Sequence, residues 1–99
     1  MDQGLFITAE LRVKPDVSLE LAKLAIFRFC RDMESEPGCS LALPLQDRED
    51  PRKFILWERY DDEAAHQAHF DAEHTQRFIQ QGLTELVQAF QSELLIPEL

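Results

Sequence analysis

Residues 57–74, WERYDDEAAHQAHFDAEH, hold all three histidines of the chain within nine positions. Asp61, Asp62, Glu63, Asp71 and Glu73 surround them, together with Trp57, Tyr60 and Phe70. Imidazole titrates near neutrality, so a histidine at the mouth of an apolar pocket can take up and return a proton at working pH. Metal binding is the other chemistry to weigh. Two ligands on one helix face usually stand at i and i+4. Here His66 and His69 are three apart and His74 is five further on, which matches no strong ligand pattern even with nearby carboxylates. The expected metal complement is therefore none. Asp62 stands four residues before His66, and pairing between them accounts for His66 as a rim residue. His69 and His74 are left as the candidates for proton chemistry.

The rest of the chain must position them. LFITAELRV alternates, with Leu5, Ile7, Ala9, Leu11 and Val13 on one side and Phe6, Thr8, Glu10 and Arg12 on the other, which predicts a half-buried strand. Ser18 reads as the N-cap of a helix with Glu20 in its first turn, and Ala22, Ala25, Ile26, Phe29, Cys30 and Met33 form one apolar stripe. The EPG at 36–38 stops it. A second strand over Cys39–Gln46 contains Pro44, which cannot donate to a ladder and so marks an edge. KFILWERY is the third strand. It places Phe54, Leu56, Glu58 and Tyr60 on one face and Trp57 on the other. A long helical region is then expected from Asp62 to about Phe90, broken near FDAEH, where Asp71 caps a second segment striped by Ile79, Leu83, Leu86, Val87 and Phe90. SELLIPEL, with Pro97, is expected as a last edge strand.

The order β-α-β-β-α-β, joined by right-handed crossovers, predicts an α+β ferredoxin-like split: an antiparallel sheet with strands one and three central. Two helices cover one face of such a sheet. The other face needs a lid, and a second copy of the same sheet is the simplest. Ninety-nine residues predict one domain over 1–99. A net charge of -9 argues against nucleic acid and anionic membranes as partners. No apolar run reaches a membrane span, and MDQGLF lacks the basic region and long apolar stretch of a signal peptide, so a cytoplasmic location is expected. Cys30 and Cys39 form neither a metal spacing nor a disulfide framework and read as packed core thiols.

ILWERYDDEAAHQAHFDAEHTQRF resembles the antibiotic biosynthesis monooxygenase family of dimeric α+β barrels. The family pattern of Glu-x-aromatic on strand three, an acidic and a small residue at the helix start, then His-x4-His-x3-aromatic, falls on Glu58, Tyr60, Asp62, Ala65, His69, His74 and Phe78. EPGC before strand two and VKPD after strand one also fit. The resemblance implies a homodimer and a small aromatic or dicarbonyl substrate. The reaction it implies is either cofactor-independent oxygenation of a quinol or polyketide-like phenol by molecular oxygen, or isomerisation of a small diketone. A non-catalytic ligand-binding or accessory role stays open, because one fold hosts several chemistries. The Asn, Trp and His of the haem-degrading branch fall on Ala9, His69 and Ile79, so haem degradation is not expected. By the same resemblance His69 is the base, and His74 holds it in one tautomer or binds the substrate oxygen; the break at FDAEH lets His74 fold back towards the same cleft. Glu58 and Tyr60 orient them from the sheet, and Phe70 and Phe78 line the pocket; Phe54 and Leu56, on the face of Glu58, line the pocket or the core, and Phe27, off the main stripe of the first helix, is a pocket wall or a core residue. Trp57 is expected at the subunit interface.

Overall fold

The computed structural model describes residues 3–97. Its elements are β1 (Leu5–Val13), α1 (Leu19–Glu34), β2 (Cys39–Gln46), β3 (Lys53–Tyr60), α2 (Glu63–Asp71), α3 (Glu73–Gln81) and β4 (Thr84–Ser92). The four strands form one antiparallel sheet in the order β2-β3-β1-β4, an α+β ferredoxin-like arrangement with the predicted central pair. Pro44 lies on edge strand β2, where its missing N–H costs no ladder bond. The cap of α1 is also as read: Ser18 Oγ accepts from the Leu21 N–H at 3.3 Å.

The C-terminal third departs from its pattern. The helical region ends at Gln81, where Gly82 closes α3 in the left-handed conformation (φ 62°) that glycine adopts without penalty. Leu86, Val87 and Phe90, expected on a helical stripe, are in β4 instead, and residues 93–97 of the expected last strand have no regular structure. TELVQAF carries apolar residues that satisfy helical and strand spacing alike over so short a run. Pairing to β1 decides between them. One extra residue, Val87, is accommodated where the register shifts, so Leu86 and Ala89 both stand beside the inward-facing Leu11 and Ala9. The break between α2 and α3 is where expected, but Asp71 is the last residue of α2, and Ala72 caps α3 with no side-chain bond.

Register places Ile7 opposite Glu58, Ala9 opposite Leu56 and Leu11 opposite Phe54, so these buried residues of β1 and β3 share the face that the helices cover. Ala22, Ile26, Phe29, Cys30 and Met33 of α1 pack onto it. The cover is uneven. All but the first residue of β4 is exposed, so the helices roof β2, β3 and β1 and leave space over β4. The opposite face has no roof: Trp57, Leu43, Leu45 and Phe90 are all exposed on it.

One close approach fixes the helices relative to the turn after α1. A Cβ at Gly38 would lie 2.4 Å from Ala65 Cβ, and the Gly38 carbonyl accepts from the Asp61 N–H at 2.8 Å. Gly38→Ala should therefore destabilise by about 1–3 kcal/mol through overpacking. Combining it with Ala65→Gly should recover part of that loss, so that urea melts of the two single variants and the double variant give a clearly non-additive cycle.

Candidate functional site

Between α2, α3 and the open half of the sheet lies a cavity of about 370 Å³. Its floor is Ile7, Ala9, Leu11, Leu56 and Glu58, with Leu86, Ala89 and Gln91 from β4, and its roof is His66, His69, Phe70, Thr75, Phe78 and Ile79, with Phe29 from α1. The cavity is mainly apolar, with Glu58, His66 and His69 as its titratable groups.

His69 is held by a residue that histidine spacing does not reveal. Glu36, in the turn after α1, places Oε2 2.8 Å from His69 Nδ1 and 2.5 Å from His74 Nε2. A carboxylate oxygen accepts, so each of these nitrogens carries a proton and donates it. Thr75 Oγ1, 3.3 Å from His69 Nδ1, is a second and weaker acceptor for the same N–H. With Nδ1 protonated, the neutral ring of His69 keeps its lone pair at Nε2, which makes no hydrogen bond within the described chain. That is the arrangement of a base fixed in one tautomer by a carboxylate behind it.

His74 stands elsewhere than expected. It lines a neighbouring open groove between α1 and α3, not the cavity; its ring is tilted against that of His69 at 6.4 Å between centroids, and the two share the Glu36 carboxylate as hydrogen-bond acceptor. Phe29 and Phe78, stacked at 4.3 Å between centroids, form the wall common to the two spaces.

Tyr60, fully buried, donates its hydroxyl proton to Glu58 Oε1 at 2.7 Å and packs its ring against His66 and His69. Burial pushes the Glu58 carboxyl up to about 7, with Glu36 adding repulsion and the Tyr60 hydrogen bond opposing both. Burial first, and then the Glu58 carboxylate, push the Tyr60 phenol upward, so it remains a donor. Leu56, Phe70 and Phe78 reach the cavity as expected. Phe54 is buried in the core on the same sheet face but is not a cavity wall. Phe27 is a correction: it is half-exposed on the outside of α1, beneath the Arg31 guanidinium, because its position falls off the apolar stripe.

His66 is a second correction. It does not pair with Asp62, whose Oδ1 instead caps α2 by accepting from the Ala65 N–H at 2.8 Å. The ring is buried, and its Nδ1 has no hydrogen-bond partner. Both thiols are core groups. Burial raises Cys30 to about 12 and Cys39 to about 11, which keeps them neutral and unreactive.

Glu36, His69 and His74 bring three donor atoms within 4.8 Å of one another. Two imidazoles and a carboxylate are a donor set that suits zinc or non-haem iron. The same atoms also satisfy one another as hydrogen-bond partners without an ion. His66, the ligand weighed from spacing, is not in the group.

The family model for antibiotic biosynthesis monooxygenase matches residues 4–81. The chain belongs to that family. Among solved structures, the antibiotic biosynthesis monooxygenase fold of this chain is matched by PA3566 of Pseudomonas aeruginosa, at 26% identity and a TM-score of 0.86 over 97% of this chain and 98% of that one. A protein named YJCS is similar at 27% identity and a TM-score of 0.84, over 93% and 99% of the two chains. A protein of Chloroflexus aurantiacus J-10-fl bearing the same family name, at 21% identity and a TM-score of 0.76 over 96% of both chains, shares the fold. No curated protein matches the chain. Within this family frame, Glu36 belongs to the EPGC already noted as a fold feature, but nothing in a single acidic residue before a Pro-Gly turn marks it as the partner of histidines 33 and 38 positions away.

The raised Glu58 carboxyl has a stability consequence. Its folded pKa lies above the unfolded value, so the folded state holds its proton more tightly. The penalty for ionising it is absent below about pH 4.5, grows as pH rises, and is complete above about pH 7. A shift of that size corresponds to about 3 kcal/mol. Glu58→Gln should therefore be more stable than the parent by about 2–3 kcal/mol at pH 8 and nearly equal to it at pH 4, as read by urea denaturation at the two pH values.

Proposed function

We propose that this protein is a cofactor-independent monooxygenase acting on a small electron-rich quinol or polyketide-like phenol, with His69 as the base. The reading is carried by one observation: a carboxylate holds His69 Nδ1–H, and the opposite nitrogen is left free on a histidine that lines an apolar cavity. His69 Nε2 takes the proton of the substrate, leaving an electron-rich anion that passes one electron to molecular oxygen. The superoxide and substrate radical then join in a C–O bond. His69 returns its proton to the peroxide. Loss of the remaining hydrogen at that carbon and cleavage of O–O give a carbonyl and water, so no outside reductant is needed.

The surrounding residues suit the parts of this chemistry. Glu36 offsets the positive charge that His69 acquires, and Thr75 helps keep its ring in place. Leu56, Phe70 and Phe78 keep water from the intermediates. Glu58, with a pKa of about 7, is suited to exchange a proton near neutrality and keeps Tyr60 oriented. His74 anchors the far side of Glu36 and acts on His69 at second hand. The same groups would move a proton beside two carbonyls in a diketone isomerase, with Glu58 as the second proton carrier. The chemistry assigned to these residues draws on no metal, flavin or haem.

We also propose that the unroofed sheet face is covered by a second copy of the chain, making a homodimer. Trp57, Leu43, Leu45 and Phe90 present a broad apolar surface there, larger than single scattered apolar residues need explaining. The family resemblance supports the same assembly.

Two measurements test these readings. In oxygen-uptake assays across a panel of quinols and anthrone-like phenols, without added flavin or metal, His69→Gln should lose roughly 10²- to 10⁴-fold in turnover while KM changes little. Near-normal turnover would remove His69 from the mechanism. Proton exchange on diketones without oxygen uptake would favour the isomerase. In sedimentation at micromolar concentration the protein should run as a dimer, and Trp57→Lys combined with Phe90→Lys should shift it to monomer. A stable parent monomer would exclude the assembly.

A further inference from the structure

Among the described residues, His66 carries the buried side-chain polar atom that the fold leaves without a partner. It is 6% exposed, and its Nδ1 is sealed from solvent with no partner. Buried polar atoms are nearly always paired, and each exception calls for a reason. No reason is found in the packing. Asp62 is occupied capping α2, and Tyr60 and Phe70 hold the imidazole at centroid distances of 4.9 and 5.0 Å. Nε2 makes no hydrogen bond within the described chain either, yet the residue is part of the cavity roof beside His69 and opposite Glu58. An apolar side chain of similar size would fill the space without leaving polar atoms unpaired.

We infer that His66 donates a hydrogen bond to the oxygen that becomes anionic when a phenolic or enolic ligand ionises in the cavity. The assignment rests on the proposed reading of His69 as the base that removes the proton, and adds the group that receives the resulting charge. The tautomer with its proton on Nε2 leaves only a lone pair at the sealed Nδ1 and turns an N–H outward. The ring is held neutral: burial lowers its pKa first and the neighbouring His69 lowers it further, against a small opposing effect of Glu63. A neutral imidazole suits this position. It stabilises an oxyanion without competing for the proton, and it adds no positive charge beside His69, which must itself become charged during the reaction. The ligand class that follows is a small planar molecule with one acidic phenol or enol hydroxyl, of a size that fits about 370 Å³.

The test uses 4-nitrophenol, whose absorbance reports its own ionisation when bound, and so does not depend on turnover. In the parent protein the bound phenol should ionise at a pH at least one unit lower than in His66→Leu, a tenfold difference in the ionisation constant. His66→Gln, which keeps an N–H donor, should lie between them. His66→Leu should also melt at a higher temperature than the parent, because it removes an unpaired buried group. Equal ionisation in parent and His66→Leu, or no binding of nitrophenol to the parent, overturns the assignment. A lower melting temperature for His66→Leu shows a structural role and also overturns it. Oxygen uptake failing on every phenol while the nitrophenol shift persists would overturn the monooxygenase reading and leave His66 as the anion donor.

Discussion

The oxygen Oε2 of Glu36 is shared by two imidazoles, and the positions of α1, α2 and α3 meet in that sharing. His69 is near the end of α2, His74 is at the start of α3, and Glu36 leaves the C-terminal end of α1. A single acceptor satisfies an N–H from each helix, so a shift of any one of the three would leave a nearly buried N–H or carboxylate unpaired. Hydrogen bonds to a charged acceptor are among the stronger ones. The tie therefore does for the helical layer what the ladder does for the sheet, and it also sets which nitrogen of His69 is free. Fold stability and the candidate chemistry depend on one carboxylate.

The cavity exists because the helical layer does not extend across the whole sheet. Helix α1 is seated on the sheet by its apolar stripe, and the Gly38–Ala65 approach draws α2 close to the turn behind it. Both displace the layer towards β2, away from β4. What remains uncovered by helix is lined by β1 and β4 with small or aliphatic side chains, and by three titratable groups that the layer leaves facing inwards. Of these, Glu58 and His66 are less stable in place than neutral or apolar residues would be. Such retained cost is common where a site must interact with something outside the chain.

Much of this was legible before any coordinates. Strict alternation over 5–13, the Ser18 cap and the stripe of α1, and the edge proline in β2 each come from a local rule that the fold obeys. The central placement of β1 and β3 follows from element order alone. Over residues 84–92 the sequence pattern points to the wrong element, because Leu86, Val87 and Phe90 fit a helical stripe continued from Ile79, and only pairing with β1, which no local rule supplies, selects a strand. At the site, strand alternation groups Leu56, Glu58 and Tyr60 on the face where the structure has them, whereas spacing leaves His69 and His74 as equal candidates and only the family resemblance points to His69. Glu36 and the isolation of His66 could not be read. The first depends on two segments more than thirty residues apart meeting in space, and the second on Asp62 preferring the backbone N–H of Ala65 to an imidazole. Local spacing shows which partners are available and not which of them wins.

The pairing of β4 with β1 has a consequence for how the chain is made. The sheet joins residues 78 positions apart, as in the bond from Gln88 to Glu10, and β4 supplies one side of the cavity. During synthesis, β1 emerges from the ribosome long before its outer neighbour, and its inner apolar row waits with one edge unpaired. Until residues 84–92 have been made and docked, the nascent chain has Glu36 and His69 but lacks the β4 side of the cavity that His69 lines. The charged groups at Glu10 and Arg12 on that waiting strand are of the kind that discourages two nascent chains from pairing through the same edge.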